Sequence, residues 1–336
     1  MTAKVLVLHT GGTIGMSGSP EGYRPMAGFG EVLRQTLRGC TGAGMPAFEV
    51  IELDSLIDSA NLQPANWVTI AEALLMRWEA FDGFVVLHGT DTMAYTASAL
   101  SFMLRGTDKP VILTGSQIPL VAPRSDAAEN LQAAMMLAAR PSIREVCICF
   151  GRRLLRGNRA SKLRSTGFDA FDTPNYPWLA EIGIDVALHP ERLLPAAPRA
   201  FCAPAFDAQA VAVLHIYPGI SARIVDAVLD SPAVRGLILR CYGVGNAPDA
   251  DAELMAALAR AVARGIVVVN TTQCLDGSVA QGAYATGAAL DRIGVVAGGN
   301  MTLEAAFAKL HVLLASSADA AEVRERFVEP LCGEVG

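Results

Sequence analysis

The chain has 336 residues, of which 52% are apolar and 18% are charged, and its formal net charge is −6 at pH 7. This length favours two domains, and the composition allows sizeable cores and argues against disorder. The negative charge argues against a general affinity for nucleic acid or for an anionic membrane surface.

The N-terminal residues lead directly into a short strand-like run at Lys4–Leu8 and lack the longer apolar stretch of a signal peptide. No apolar run approaches the ~20 residues that a membrane span needs. The seven cysteines show no zinc-like spacing, and the five histidines include no His-x-x-x-His pair. We therefore expect a cytoplasmic protein without a disulfide framework and without a metal.

Strand-like and helical patterns alternate through the first half of the chain. Strands are predicted at Lys4–Leu8, Gly83–Leu87, Pro110–Thr114 and Glu145–Phe150. Helices are predicted at Phe29–Arg38, Asn66–Trp78, Thr92–Leu104 and Ser125–Ala139. Such alternation predicts an α/β fold with a mostly parallel sheet flanked by helices. The basic stretch that follows, with Arg152, Arg153 and Arg156, is predicted to form the solvated face of a hairpin.

Proline and alanine become frequent between Leu188 and Pro204, and the alternation resumes afterwards. We predict a larger N-terminal domain at residues 1–188, a linker at 189–207 and a smaller α/β domain at 208–336. The predicted strands of the second domain are Ala210–Ile216, Gly236–Cys241 and Ile266–Thr271. Its predicted helices are Ser221–Leu229, Ala250–Arg264 and one that begins at Thr302.

Two polar loops directly follow predicted strands. The first is Thr10-Gly11-Gly12-Thr13, and the second is His88-Gly89-Thr90-Asp91-Thr92, with Thr92 as a candidate N-cap. Ligands of open α/β sheets bind where strands end, so the loops predict a shared site of hydroxyl and backbone N–H groups. Such a site suits a hydroxyl nucleophile. Considered singly, Thr13 is equally a solvated turn residue, and Asp91 an ordinary carboxylate at a helix start.

A hydroxyl nucleophile needs a group that withdraws its proton. His9 and His88 lie on strand ends, where a core or supporting position is the simpler interpretation. A lysine buried beside Asp91 is one candidate base, because burial favours the neutral amine. Lys162 is a candidate for this base, or else an ordinary surface lysine. Tyr23 follows the first loop closely enough to fold over it, or else only packs in its own loop. Nucleotide-binding patterns are incomplete, since Gly243-Val244-Gly245 lacks a third glycine and no P-loop occurs.

Together the two loops resemble the best-known motifs of the bacterial-type L-asparaginase family. Seven further stretches, in the same order along the chain, resemble its cytoplasmic type I branch: Tyr95–Leu100, Thr114–Pro119, Arg124–Asp126, Arg156–Arg159, Gly167–Asp172, Tyr217–Ile220 and Tyr242–Pro248. The resemblance implies two α/β domains, a homodimer or homotetramer with sites assembled between subunits, and cofactor-free hydrolysis of L-asparagine to L-aspartate and ammonia.

The resemblance also implies roles for individual residues. Thr13 would be the nucleophile, and the hydroxyl of Tyr23 would hydrogen-bond to it. Thr90, Asp91 and Lys162 would move protons and position the deacylating water. The order of proton transfer between Tyr23 and Lys162 stays open.

Substrate contacts are implied in the same way. Asp91 would bind the α-ammonium group, Ser59 the α-carboxylate, and Asn246 would reach a neighbouring subunit's site. Arg240 and Cys274 match a second, regulatory asparagine site. The sequence departs from the family at Ala60, where a polar Ser or Gln is usual.

Two other functions are weighed against this one. The first is a glutaminase-asparaginase or a related amidohydrolase that prefers glutamine or another β-amide, and comparison of kcat/KM for asparagine and glutamine distinguishes it. The second is a non-catalytic regulator that binds an amino acid. The presence of Thr13, Thr90 and Lys162 argues against the regulator.

Overall fold

The computed structural model describes residues 2–20, 22–39, 44–281 and 285–336. The chain divides into two units, Met1–Ala203 and Pro204–Gly336. Each unit contains a sheet of mostly or entirely parallel strands with helices packed on it, which confirms the α/β prediction.

In the N-terminal unit, short strands accompany the main sheet. The strands are β1 (Lys4–Gly11), β2 (Met16–Ser19), β3 (Gly22–Pro25), β4 (Ala47–Ile57), β5 (Gly83–Leu87), β6 (Leu104–Arg105), β7 (Val111–Thr114), β8 (Val146–Phe150), β9 (Arg153–Arg156), β10 (Ser161–Lys162), β11 (Phe171–Asp172), β12 (Ala180–Ile182), β13 (Val186–Leu188) and β14 (Ala200–Phe201). The helices are α1 (Phe29–Gly39), α2 (Pro64–Leu75), α3 (Met93–Met103) and α4 (Ala127–Ala138).

The main sheet has eight strands in the order β13-β12-β9-β8-β7-β5-β1-β4. From β8 to β4 all neighbours are parallel, whereas β9, β12 and β13 extend the sheet as antiparallel strands. Strands β5, β7 and β8 are buried along their whole length. Continuous apolar runs are typical of parallel strands covered on both faces, and this explains why the sequence identifies them.

The edge strand β4 was not among the predicted strands. Its residues alternate between half-buried and exposed positions, and only Val50 is fully buried. An edge strand with one solvated side carries polar residues, so β4 lacks the apolar run that marks the central strands. It nonetheless completes the site described below, because its end pairs with the end of β1, Gly11 opposite Ile57.

The prediction of a solvated basic hairpin is correct for Arg152 and wrong for Arg156. The side chain of Arg152 is 69% exposed, whereas that of Arg156 is 5% exposed. Strand β9 folds back antiparallel to β8, which brings Arg156 Nε to 2.7 Å from the carboxylate of Glu145. Its guanidinium also lies 4.3 Å from the ring centre of Tyr176. A buried arginine is retained only with such partners.

The C-terminal unit contains a four-stranded parallel sheet in the order β15-β16-β17-β18. Its strands are β15 (Val211–His215), β16 (Gly236–Cys241), β17 (Val267–Thr272) and β18 (Val296–Ala297). Its helices are α5 (Ala222–Leu229), α6 (Ala252–Ala263), α7 (Ala285–Arg292), α8 (Leu303–Ser316) and α9 (Ala320–Val328). Two apolar clusters of buried residues form its core. In the described parts of both units, no helix is long and apolar enough to cross a membrane.

Candidate active site

Three loops of the N-terminal unit meet through glycine backbone. Gly11 and Gly12 have φ angles of 123° and 89°, which favour glycine. A Cβ on Gly11 would collide with the backbone of Ile57, and a Cβ on Gly12 would collide with the backbone of Gly89. A Cβ on Gly89 would in turn collide with the side chain of Ser59. The ends of β1, β4 and β5 therefore lie in direct contact, as adjacent parallel strands require.

Thr13 begins a single 3-10 turn, Thr13–Gly15, immediately after this glycine pair. Its neighbour Thr10 donates a hydrogen bond of 2.8 Å to the carbonyl of Leu87 and so ties the loop to β5. Thr13 is half-buried. Within the described part of the chain, no other residue hydrogen-bonds to the Thr13 hydroxyl. The hydroxyl is thus free to contact a substrate.

The second loop holds a lysine-centred cluster. Lys162 Nζ donates hydrogen bonds of 2.8 Å both to the hydroxyl of Thr90 and to the carboxylate of Asp91. Short strand β10, paired with β11, presents Lys162 to the loop. The Lys162 side chain is 19% exposed and the Asp91 side chain 61% exposed. The ammonium group is therefore shielded, while the carboxylate can still bind a ligand from solvent.

Gln117 joins this cluster through its side-chain amide. Its Oε1 accepts a hydrogen bond of 3.4 Å from the Thr90 hydroxyl. Its Nε2 donates to the carbonyls of Ser165 and Gly167, at 3.2 and 3.0 Å. Gln117 thus links Thr90 to the chain that follows Lys162. Only its place in Thr114–Pro119, one of the stretches that resemble the family, marks it in the sequence.

Ser59 lies in the third loop, at the start of the 3-10 turn Ser59–Asn61. Asp58 caps this turn by accepting a hydrogen bond of 3.1 Å from the backbone N–H of Ala60. Thr92 is the N-cap of α3, but its hydroxyl donates at 2.8 Å to the Ser59 carbonyl instead of capping the helix. The structure therefore brings Ser59, Thr90 and the turn of Thr13 together. Ala60 is exposed beside them.

Tyr23 lies on β3, in the hairpin that follows the Thr13 turn, and is 57% exposed. No hydrogen bond joins its hydroxyl to Thr13 among the described residues. The hairpin is nevertheless anchored beside that turn, since Met26 N donates to the Gly15 carbonyl at 2.9 Å. The role assigned to Tyr23 stays a prediction.

Two histidines lie beneath the loops. Burial lowers the pKa of His9 and that of His88 to about 4, so both rings are neutral near pH 7. The His9 ring packs at 4.7 Å from Phe29. His88 hydrogen-bonds through both ring nitrogens, Nδ1 with the Gly89 carbonyl at 2.7 Å and Nε2 with the Thr96 hydroxyl at 3.0 Å. Both histidines belong to the interior and are separated from solvent.

The remaining candidates lie in the C-terminal unit. Arg240, near the end of β16, donates to the carbonyls of Thr272 and Gln273 at 3.1 and 3.3 Å. Cys274 is exposed just beyond, so the adjacent strands β16 and β17 bring Arg240 and Cys274 to the same end of their sheet. Asn246 is half-buried in a tight turn that its carbonyl closes with the N–H of Tyr242.

Residues 4–194 match a family model described as "Asparaginase, N-terminal", and residues 210–327 match "Glutaminase/Asparaginase C-terminal domain". The chain is 48% identical to L-asparaginase 1 of Escherichia coli (strain K12) over 335 residues, which is 98% of this chain and 97% of the relative. It is 38% identical to the 60 kDa lysophospholipase of Homo sapiens, over 99% of this chain and 61% of the relative.

Two solved structures resemble the whole fold. L-asparaginase I of Vibrio cholerae superposes with a TM-score of 0.91 at 42% identity, covering 100% of both chains. The thermostable L-asparaginase of Thermococcus kodakarensis superposes with a TM-score of 0.90 at 34% identity, covering 99% of each chain.

Proposed function

The chain belongs to the asparaginase family, and from this premise we propose that it hydrolyses L-asparagine to L-aspartate and ammonia through an acyl-enzyme on Thr13. It is accordingly an amidohydrolase. The observation that carries the proposal is the junction of the three loops. There the glycine before Thr13, whose hydroxyl has no hydrogen bond among the described residues, packs against the loop whose Thr90 and Asp91 are hydrogen-bonded to Lys162.

The proposed reaction has two steps. The Thr13 oxygen attacks the side-chain amide carbon of asparagine, the C–N bond breaks, and the amide nitrogen leaves as ammonia with the hydroxyl proton. Water then attacks the resulting ester, and aspartate leaves as Thr13 regains its proton. Splitting the reaction in this way replaces one difficult step with two easier ones. Backbone N–H groups of the loops stabilise the negative oxygen in both steps.

Proton transfer is assigned to two groups. Thr90, Lys162 and Asp91 move protons and position the deacylating water, a role supported by the two 2.8 Å hydrogen bonds of Lys162. Tyr23 would hydrogen-bond to the Thr13 hydroxyl once its hairpin folds over the turn. The anchoring of the hairpin at Gly15 supports this assignment.

Substrate binding uses the same loops. The exposed carboxylate of Asp91 binds the α-ammonium group, and Ser59 binds the α-carboxylate. Ala60 offers no polar side chain there, so one substrate contact usual in the family is missing. We further propose a cytoplasmic homodimer or homotetramer in which Asn246 reaches a neighbouring subunit's site. Its support is the resemblance of Tyr242–Pro248 to the family's type I branch.

An ammonia-release assay with L-asparagine and L-glutamine tests the proposed function. We expect kcat/KM for asparagine to exceed that for glutamine by roughly tenfold or more, because one methylene typically shifts selectivity by ~1–3 kcal/mol. A preference for glutamine would instead identify a glutaminase-asparaginase. Heat of binding without ammonia release in calorimetry would identify a non-catalytic regulator.

We also propose a second, regulatory asparagine site at Arg240 and Cys274. Its support is the resemblance to the family's type I branch, together with the pairing of β16 and β17, which brings Arg240 and the exposed Cys274 to the same end of their sheet. The expected result is a sigmoidal dependence of initial velocity on asparagine concentration, which Arg240→Ala converts to a hyperbola. A hyperbolic wild-type curve over the full concentration range would contradict the site. The melting temperatures of the wild-type protein and of Arg240→Ala are compared as a control, because the substitution also removes the hydrogen bonds to the carbonyls of Thr272 and Gln273.

A further inference from the structure

His88 is the first residue of the second loop, and its buried ring makes no hydrogen bond to Thr13 or to Lys162 in the described structure. We propose that His88, held by Thr96, is a positioning residue that orients the Gly89–Thr90 peptide so that the Thr90 N–H donates to the oxyanion. The inference rests on the proposed function, and it explains how one hydrogen-bond donor to the oxyanion, the backbone N–H of Thr90, is held in its orientation.

The hydrogen bonds of His88 determine which ring nitrogen carries the proton. The Gly89 carbonyl can only accept, so His88 Nδ1, at 2.7 Å, must be the donor. In the neutral ring Nε2 is then an acceptor, and the Thr96 hydroxyl at 3.0 Å donates to it. Burial supports the neutral form, since it lowers the pKa of His88 to about 4. One tautomer is therefore selected by its partners.

The Gly89 carbonyl and the Thr90 N–H belong to one peptide group. No peptide bond of the described chain is cis, so these two groups point in opposite directions. The buried ring draws the carbonyl towards the interior, and the N–H consequently faces away from it. Among the described residues this N–H takes part in no backbone hydrogen bond. It is therefore available to a ligand.

The direction of this N–H matters because of what lies next to it. Gly12, which precedes Thr13, packs against the backbone of Gly89. The side chain of Thr90 is held by Lys162 at 2.8 Å. An N–H between the turn of the nucleophile and the Lys162 cluster is suited to the oxygen of a tetrahedral intermediate. Removing one preorganised donor of this kind lowers kcat by about 10²–10³-fold.

Two substitutions at His88 separate positioning from packing. The amide nitrogen of His88→Asn occupies the place of Nδ1 and keeps a donor for Gly89, whereas that of His88→Gln occupies the place of Nε2 and does not. We expect His88→Asn to retain most of kcat and His88→Gln to lose about 10²-fold in kcat with little change in KM. Melting temperatures are measured for both variants.

Equal losses of kcat in the two variants, at equal melting temperatures, would overturn the proposal, because the ring would then act only by filling the interior. If the His88 variants do not fold, Thr96→Val and Thr96→Ser replace them. Only valine removes the hydroxyl that donates to Nε2 and holds the ring in place against the Gly89 carbonyl, so kcat should fall for Thr96→Val and stay near wild type for Thr96→Ser. Equal kcat values for the pair would also overturn it. Absence of ammonia release from wild-type protein would instead reject the proposed function.

Discussion

Replacing Thr13 by alanine is expected to leave the chain folded and to reduce ammonia release from asparagine by roughly four orders of magnitude or more. The physical reason is that the acyl-enzyme cannot form without the hydroxyl, and the remaining groups can only bind and polarise the amide. Stability should change little, since Thr13 is half-buried and its hydroxyl has no hydrogen bond to lose within the described structure. The measurement is kcat by coupled ammonia assay, together with the melting temperature.

Thr13→Ser is the matched control, because it keeps the oxygen and removes only a methyl group. We expect it to retain measurable activity and to trap an ester on the same residue, detectable by mass spectrometry after acid quench. Activity of Thr13→Ala within tenfold of wild type would remove Thr13 as the nucleophile. An adduct on another residue would have the same consequence.

Lys162→Met is expected to lower kcat by about 10³-fold. Methionine matches the length of the side chain but removes the ammonium group that hydrogen-bonds to Thr90 and Asp91 at 2.8 Å. The Thr90 hydroxyl and the Asp91 carboxylate would then lose the donor that they share, and the deacylating water would lose the group that relays its proton. Because deacylation is the step assigned to this cluster, we expect one equivalent of ammonia to be released before the slow steady state.

Lys162→Arg is the control for charge. It keeps the positive charge but replaces a compact ammonium with a planar guanidinium, so it should recover substrate binding more than kcat. Lys162→Met with more than a tenth of wild-type kcat would contradict the assignment. A slow phase without an initial release would instead assign Lys162 to the first proton transfer, in place of Tyr23.

The parallel core could be predicted because each of its central strands is a continuous apolar run. Strand β4 could not be predicted in this way, since an edge strand carries polar residues. The burial of Arg156 also could not be predicted locally, because it depends on a partner, Glu145, whose position follows from the β8–β9 pairing. Local pattern indicates which residues are apolar, whereas pairing decides which charges are buried.

The candidate site shows the same division. Thr13, Thr90 and Asp91 are recognisable because they follow strands. The resemblance adds Ser59 and gives a role to Lys162, which the residues alone leave open between a base and a surface lysine. Ser59 lies against Gly89 because the strands follow the order β5-β1-β4 in the sheet, and no local sequence pattern encodes that order. Gln117 acts through its amide on Thr90, and such a link is visible only in three dimensions.

The glycine contacts between the loops also limit how this enzyme can be redesigned. Gly11, Gly12 and Gly89 leave no space for even a methyl group, so a mutant library that includes them would consist largely of misassembled proteins. A changed preference between amide substrates therefore has to come from exposed positions at the edge of the site. Ala60 is exposed beside Ser59 and accepts larger side chains, which makes it the natural first position to randomise.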